Sequence, residues 1–419
     1  MSLRGRCLLS RFVVVPVGWG FMSIHENYSP SFTVITDGGA IGCCYSNAFN
    51  TVLRIFHRRH SPWIWILSHM DYDHFSIVAN LVSDKGLPEP SAIILPASYS
   101  YSACKDTLIH YLALAEVIAY KLRIRRPRYT DIFKILSKCH NNIGVSSGTV
   151  FSAGKLEYLI VWPEDSYAKN KCRELLSGLR RKIEELCKDD PRCKEVAEEA
   201  IRRIRYEVNG LNVEVYKDHV DVSILKKARN SQKPTMLPHS MKAVGPRDSD
   251  GETSLEMLFE EAAKKLNDPE LYELARNVQN IHSIGYTAMV HDFHSSICTH
   301  ILSLDSLNCY SCSCGFNRLL LLYLADLEGN ELNMAIKNYI KYTYPSSSVL
   351  MEIAPHHGNS YSRLLNVIKS CITYIPRCNI HVPCYWKRKC QYLQYLCSKA
   401  KAFSHIIVSN HSKLIEFNV

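Results

Sequence analysis

The sequence predicts a mixed α/β (α+β) protein in which two stretches of alternating strands and helices flank a mainly helical insertion. Three observations carry this reading. Short apolar runs bounded by turn residues alternate with helical spacings up to about residue 164, and the same alternation resumes after residue 285. Between them the composition shifts to apolar residues at three-to-four spacing among charges. Several apolar runs also end on histidines or aspartates, placing polar chemistry at the carboxyl ends of strands, where α/β folds usually keep it.

Phe12–Val17 and Phe32–Thr36 read as the opening strands, the second running into Asp37-Gly38-Gly39, whose glycines permit a tight turn. Trp63–Leu67 reads as a buried strand, Phe75–Val82 as a helix, and Ile93–Leu95 as a strand stopped by Pro96. Leu108–Leu122 and Ile132–Lys138 carry helical spacing, and Leu156–Trp162 returns to strand character.

In the insertion, Leu175, Leu176, Leu179, Ile183 and Leu186 mark one amphipathic helix, and Val196, Ala200, Ile201 and Ile204 mark a second. They are broken at Asp190-Pro191. A looser stretch with Pro234, Pro238, Gly245, Pro246 and Gly251 follows. Thr253 with Glu256 then predicts a capping box for a helix over Leu255–Leu266, and Asp268-Pro269 starts another. The insertion reads as a lid or substrate-gripping arm, or else as a structural elaboration or dimer surface.

Past it, Arg318–Ala325 is an apolar strand ending in Asp326, Leu332–Tyr342 is helical, and Val349–Ala354 is a strand running into Pro355-His356-His357-Gly358. Leu364–Ser370, Ile372–Ile375, Tyr392–Ala402 and Ile406–Ser409 complete the alternation. The domains expected are therefore 12–164, the insertion 165–285, and 286–419.

The chain of 419 residues is 47% hydrophobic, enough for a sizeable core. No apolar run approaches the roughly 18 residues of a membrane helix, and no secretory signal follows the basic start, so a cytoplasmic protein without a membrane partner is expected. Seventeen cysteines cannot all pair within the chain. Cys309, Cys312 and Cys314 lack a second C-x-x-C half, so they and Cys43-Cys44 read as structural thiols. The net charge of +10 would attract polyanions, or else marks simply a basic protein, and charge alone does not choose between the two. Arg54, His57, Arg58, Arg59 and His60, and Arg123, Arg125, Arg126 and Arg128, form two basic runs that suit either a phosphate groove or a solvated helix end.

The densest chemistry lies in His69-Met70-Asp71-Tyr72-Asp73-His74. Zinc takes histidine nitrogen and carboxylate oxygen at about 2.0–2.2 Å. In an extended segment alternate side chains point the same way, so His69, Asp71 and Asp73 would face one site with His74 turned in at the bend. Asp326 and the pair His356-His357 repeat the pattern, each delivered by an apolar strand. A carboxylate at the tip of such a strand is costly unless paired or metal-bound.

These pieces resemble the metallo-β-lactamase superfamily, in particular the soluble hydrolase domain of ComEC-type DNA-uptake proteins. Val17-Gly18-Trp19-Gly20 resembles the opening V-G-x-G, and Thr36-Asp37-Gly38-Gly39 the D-x-G-G turn. Ser68–His74 resembles S-H-x-D-x-D-H, and Leu324-Ala325-Asp326-Leu327-Glu328 resembles L-x-G-D-x-E. Ala354–Asn359 resembles x-P-H-H-G-S, and Ile406–Phe417 the closing strand pair. Residues 165–285 lie outside the resemblance.

The resemblance implies a four-layer αββα sandwich with a dinuclear centre of two divalent ions, Zn2+ in the first place and Mn2+ as the alternative. By position, His69 and Asp71 would bind the first ion, Asp73 and His74 the second, and Asp326 would bridge them. His357, or else His356, would complete the second site, and Asp37 would orient a ligand. His291 and His294 are both candidates for the further histidine that many members supply to the first ion. Ala325 and Asn359 stand where the family has glycine and serine, and Asp71 where many members have a second histidine.

The chemistry implied is hydrolysis by a hydroxide bridging two ions, with Asp73 or Asp326 taking the proton and the non-ligand of His356 and His357 assisting the leaving group. A phosphodiesterase or nuclease acting on single-stranded DNA or RNA is the first expectation, from the anionic substrate, the positive charge and the family analogy. A hydrolase of a small ester, thioester or cyclic nucleotide is the second, and a metal-binding scaffold without turnover the third.

Overall fold

The computed structural model describes residues 10–15, 17, 20–28, 31–40, 49–50, 52–53, 62–83, 87–125, 129–153, 156–221, 254–290, 319–343, 348–353, 355, 360, 362–375, 405–408 and 415–418. His291, His294, His356, His357, the cysteines at 43–44 and 309–314, the basic residues at 54–60, 126 and 128, the looser stretch of the insertion and the helix expected at 392–402 lie outside them.

The chain is a mixed α/β protein with two eight-stranded mixed sheets and, among the described residues, eight α-helices. It opens with three antiparallel strands, β1 (Ser10–Val14), β2 (Met22–Tyr28) and β3 (Ser31–Asp37). β4 (Trp63–Ile66) then adds in parallel to β3 and ends in the His69–His74 loop. Helix α1 (Tyr72–Ser83) leads to β5 (Ala92–Pro96), and α2 (Ser102–Leu122) and α3 (Thr130–Lys138) lead to β6 (Asn142–Val145). Pro96 is the last residue of its strand rather than the residue after it.

β7 (Val150–Ala153) and β8 (Leu156–Trp162) begin the second sheet. Residues 165–285 hold α4 (Asp165–Cys187) and α5 (Pro191–Asn209), then β9 (Val213–Tyr216) and β10 (His219–Asp221), then α6 (Leu255–Lys265) and α7 (Pro269–Ile281). β11 (Gly285–Val290), β12 (Leu319–Tyr323), α8 (Gly329–Thr343), β13 (Ser348–Ile353), β14 (Lys369–Ile375), β15 (His405–Val408) and β16 (Ile415–Asn418) follow. The first sheet runs β16-β1-β2-β3-β4-β5-β6-β9 and the second β10-β7-β8-β11-β12-β13-β14-β15. β9 and β10 are consecutive in the chain yet edge opposite sheets.

Strand patterning explains the packing. In β4, Trp63 and Trp65 join a core shared with the helices, while Ile64 and Ile66 join a core that also holds Tyr158, Tyr286 and Tyr323 of the second sheet. Both faces are covered, so the strand reads as one apolar run. A third core sets Leu319, Leu322 and Val349 of the second sheet against Leu332, Ile336 and Tyr339 of α8. The apolar faces of α4, α5, α6 and α7 lie in the same core as α2 and the first sheet. Disulfides join Cys104 of α2 to Cys172 of α4, and Cys187 to Cys193 across the α4–α5 turn.

Two local expectations need correction. The N-cap of α6 is Ser254, whose hydroxyl accepts from Met257 N at 3.1 Å, one residue along from the predicted Thr253–Glu256 box. Asp73 is not on extended chain: α1 begins at Tyr72, so the alternate-residue geometry ends at Asp71. The break at Asp190-Pro191 is as read, with Asp190 Oδ1 accepting from Cys193 N at 3.0 Å. So is the Asp268 cap of α7, which accepts from Glu270 N at 3.2 Å.

Candidate metal centre

The site lies where the carboxyl ends of β3 and β4 meet that of β12. β3 ends at Asp37, which has φ 53°, and Gly38 follows at φ 120°, a left-handed turn that carries the chain onto α1. Gly39 then touches the start of that helix so closely that a Cβ there would stand 2.3 Å from the carbonyl carbon of Asp73 and 2.5 Å from His74 N. The glycine turn and the ligand loop are thus pressed together backbone to backbone.

Asp37 is fully buried and saturated with donors. Its Oδ1 accepts from Ser68 N at 2.7 Å, and its Oδ2 accepts from Ser68 Oγ at 2.8 Å and from Tyr323 Oη at 2.5 Å. His74 Nδ1 lies 2.9 Å from the same Oδ2. A carboxylate offers only acceptors, so Nδ1 carries the hydrogen and Nε2 is directed to the site. That Nε2 faces Asp326 Oδ2 at 3.2 Å and Asp73 Oδ2 at 3.9 Å. Burial works against charge on His74, but Asp326, Asp73 and Asp37 outweigh it and hold its pKa well above the usual imidazole value.

His69 meets the same point. Its ring centroid is 4.0 Å from that of His74, its Nδ1 is 3.0 Å from Ser68 Oγ, and its Nε2 is 3.7 Å from Asp326 Oδ2. The Nε2 is buried and has no hydrogen-bond partner. Burial, aided by the charge of His74, lowers the pKa of His69 to about 4, so the ring is neutral and keeps a lone pair at neutral pH.

Asp326 comes from the turn after β12, where Ala325 has φ 48°. That left-handed conformation suits glycine and costs another residue roughly 1 kcal/mol. The ligand atoms of His69, His74 and Asp326 lie within 4.8 Å of one another. Two buried imidazole nitrogens, one of them unsatisfied, and a partly exposed carboxylate oxygen suit a divalent ion such as zinc.

Asp71 stands apart. Its Oδ1 accepts from Tyr72 N at 2.7 Å and Leu255 N at 2.8 Å, and its Oδ2 from Glu256 N at 3.1 Å and Gln279 Nε2 at 2.9 Å. Burial, then the charge of Asp73, raises its pKa to about 7 despite those bonds.

The structure therefore brings His69, His74 and Asp326 together, sets Asp73 beside them and Asp37 behind His74, and turns Asp71 toward the insertion. Ser68, Tyr323 and Gln279 were not foreseen as members of the site. Tyr323 carried a signal: it is the one polar side chain in Leu319–Ala325, three residues before the aspartate. Among the described residues, no helix is long and apolar enough to cross a membrane. No protein-family model and no curated protein matches the chain.

Proposed function

We propose that the chain is a metal-dependent hydrolase of phosphodiesters, acting on single-stranded nucleic acid and built as a metallo-β-lactamase-type sandwich. The observation that carries this reading is the convergence of His74 and Asp326, 252 positions apart, with His69 on one part-buried point. The succession of three cores, helices on the first sheet, sheet on sheet, and α8 on the second sheet, supports the four-layer architecture.

His69 Nε2, His74 Nε2 and Asp326 would hold the ion, with Asp73 close enough to share in it. A divalent ion supplies Lewis acidity toward a phosphoryl oxygen and makes water a nucleophile near neutral pH. The protein's own groups do the rest. Asp37 fixes the tautomer of His74 and orients its ring, and Ser68 ties Asp37 to His69. Asp73, on the first turn of α1, would be the carboxylate to accept a proton from attacking water. The net charge of +10 favours an anionic substrate over a neutral ester.

The test is hydrolysis by the purified chain of single-stranded DNA, RNA, a chromogenic phosphodiester and a set of small esters and thioesters, with and without chelator. The reading predicts chelator-sensitive cleavage of the phosphodiesters and nucleic-acid binding that weakens steeply with salt. Turnover of esters alone, or of no substrate by metal-loaded protein, would overturn it.

A further inference from the structure

Asp71 sits between two groups assigned to the metal centre, yet its carboxylate is spent elsewhere. An ionised carboxylate has about four acceptor sites. All four are taken here: one by its own loop, at Tyr72 N, and three by the insertion, at Leu255 N, Glu256 N and Gln279 Nε2. The first N–H groups of a helix have no partner inside it and favour negative charge nearby. In α6, Asp71 takes those of Leu255 and Glu256, and Ser254 takes that of Met257. Gln279 reaches the same carboxylate from α7, so one side chain joins both helices to the loop. Packing continues the contact: Tyr111 of α2 stacks on Phe259 of α6 with centroids 5.1 Å apart, and Ile284 N, just past α7, donates to Ser68 O at 2.9 Å.

We infer that Asp71 is a positioning residue that clamps α6 and α7 onto the ligand loop and so holds His69 and Asp73 in place, rather than a metal ligand. The clamp stands on hydrogen bonds alone; only its effect on metal rests on the proposed function. Through it the insertion becomes part of the centre's support, and loosening α6 loosens the spacing of His69 and Asp73.

The experiment uses the full chain as wild type, Asp71→Ala, Asp71→Asn and Gln279→Ala, with His69→Ala as the ligand-loss control. It reads amide hydrogen exchange across residues 254–258, metal per chain at saturating zinc, and zinc affinity by chelator competition. The clamp predicts faster exchange by about tenfold or more in Asp71→Ala. Asp71→Asn, which keeps one acceptor oxygen, should show a smaller rise. Full zinc stoichiometry should persist in both, with weakened affinity, and Gln279→Ala should weaken affinity in the same direction. Loss of metal equivalents at saturation, as in His69→Ala, with exchange at 254–258 unchanged, would overturn the inference. Should Asp71→Ala not fold, Asp71→Asn and Gln279→Ala decide it by the same readouts. A wild type that binds no zinc would defeat the proposed function, while the exchange measurement would still decide the clamp.

Discussion

Asp37 Oδ2 and His74 Nδ1 meet at 2.9 Å across 37 positions of sequence, in a pocket where both side chains are buried. That contact directs the other nitrogen of His74 to Asp326. It also links three strand ends, because the same carboxylate binds Ser68 after β4 and Tyr323 in β12.

Replacing Asp37 with asparagine puts an amide donor among groups that already donate. Zinc affinity should fall by about 10–100-fold, the usual cost of losing a partner that orients a ligating histidine. Chelator competition reads it directly; unchanged affinity would remove Asp37 from the site.

Tyr323→Phe deletes one hydrogen bond to that buried carboxylate and leaves the metal-facing atoms intact. Stability should drop by about 1.5–3 kcal/mol with zinc stoichiometry unaltered. Chemical denaturation beside elemental analysis separates the two effects.

Gly39→Ala forces a methyl group onto the backbone of Asp73 and His74, at 2.3 Å from the nearest atom. Backbone cannot swing aside as a long side chain does, so the ligand loop must move. The expected cost is about 3 kcal/mol with weakened zinc binding. A variant with wild-type melting temperature and affinity would show that the turn and loop are not packed as described.

Much of this was legible in the chain. Trp63–Ile66 stood out because both of its faces are buried, and Asp326 because a charge closes an apolar strand. β2 did not, since Met22–Tyr28 carries His25, Glu26 and Asn27. The structure explains two of them: His25 Nδ1 lies 3.1 Å from Tyr158 Oη between the sheets, and Glu26 accepts from Arg11 at 3.2 Å. Asp71 shows a limit of another kind. Spacing shows which residues alternate but not that α1 begins at Tyr72, nor that a helix 184 positions onward claims the carboxylate.

The metal-free protein should be most stable near neutral pH. Burial lowers the pKa of His25 and His282 to about 3 and, with the charge of His74, that of His69 to about 4. Each ring is neutral when folded but protonated when unfolded below the ordinary value of 6.5, so its contribution is complete above 6.5 and is lost as pH falls. Asp71 has the opposite sign: burial and then Asp73 raise its pKa to about 7, so below that pH it takes up a proton and leaves the ionised form that accepts all four bonds, and its contribution is lost as pH rises from about 4 to 7. His74, raised above 6.5, likewise loses its contribution as pH climbs. These three rings, with His110 lowered by burial in the same sense, outnumber the one carboxyl, so protons are taken up on unfolding between pH 4.5 and 6 and melting temperature should rise with pH there. Above 7 the trend should reverse. A flat profile across that range would contradict the burial of these rings.

On the proposed function, side chains at the strand ends of both sheets hold one divalent ion. Metal content of the purified wild type and of Asp326→Asn, reloaded with zinc and desalted, tests it most directly. Bound zinc is expected in the wild type, and its loss or marked weakening in the variant, although Asp326 lies 252 positions from His74. Equal zinc content and affinity in the two proteins, or none in either, would contradict it.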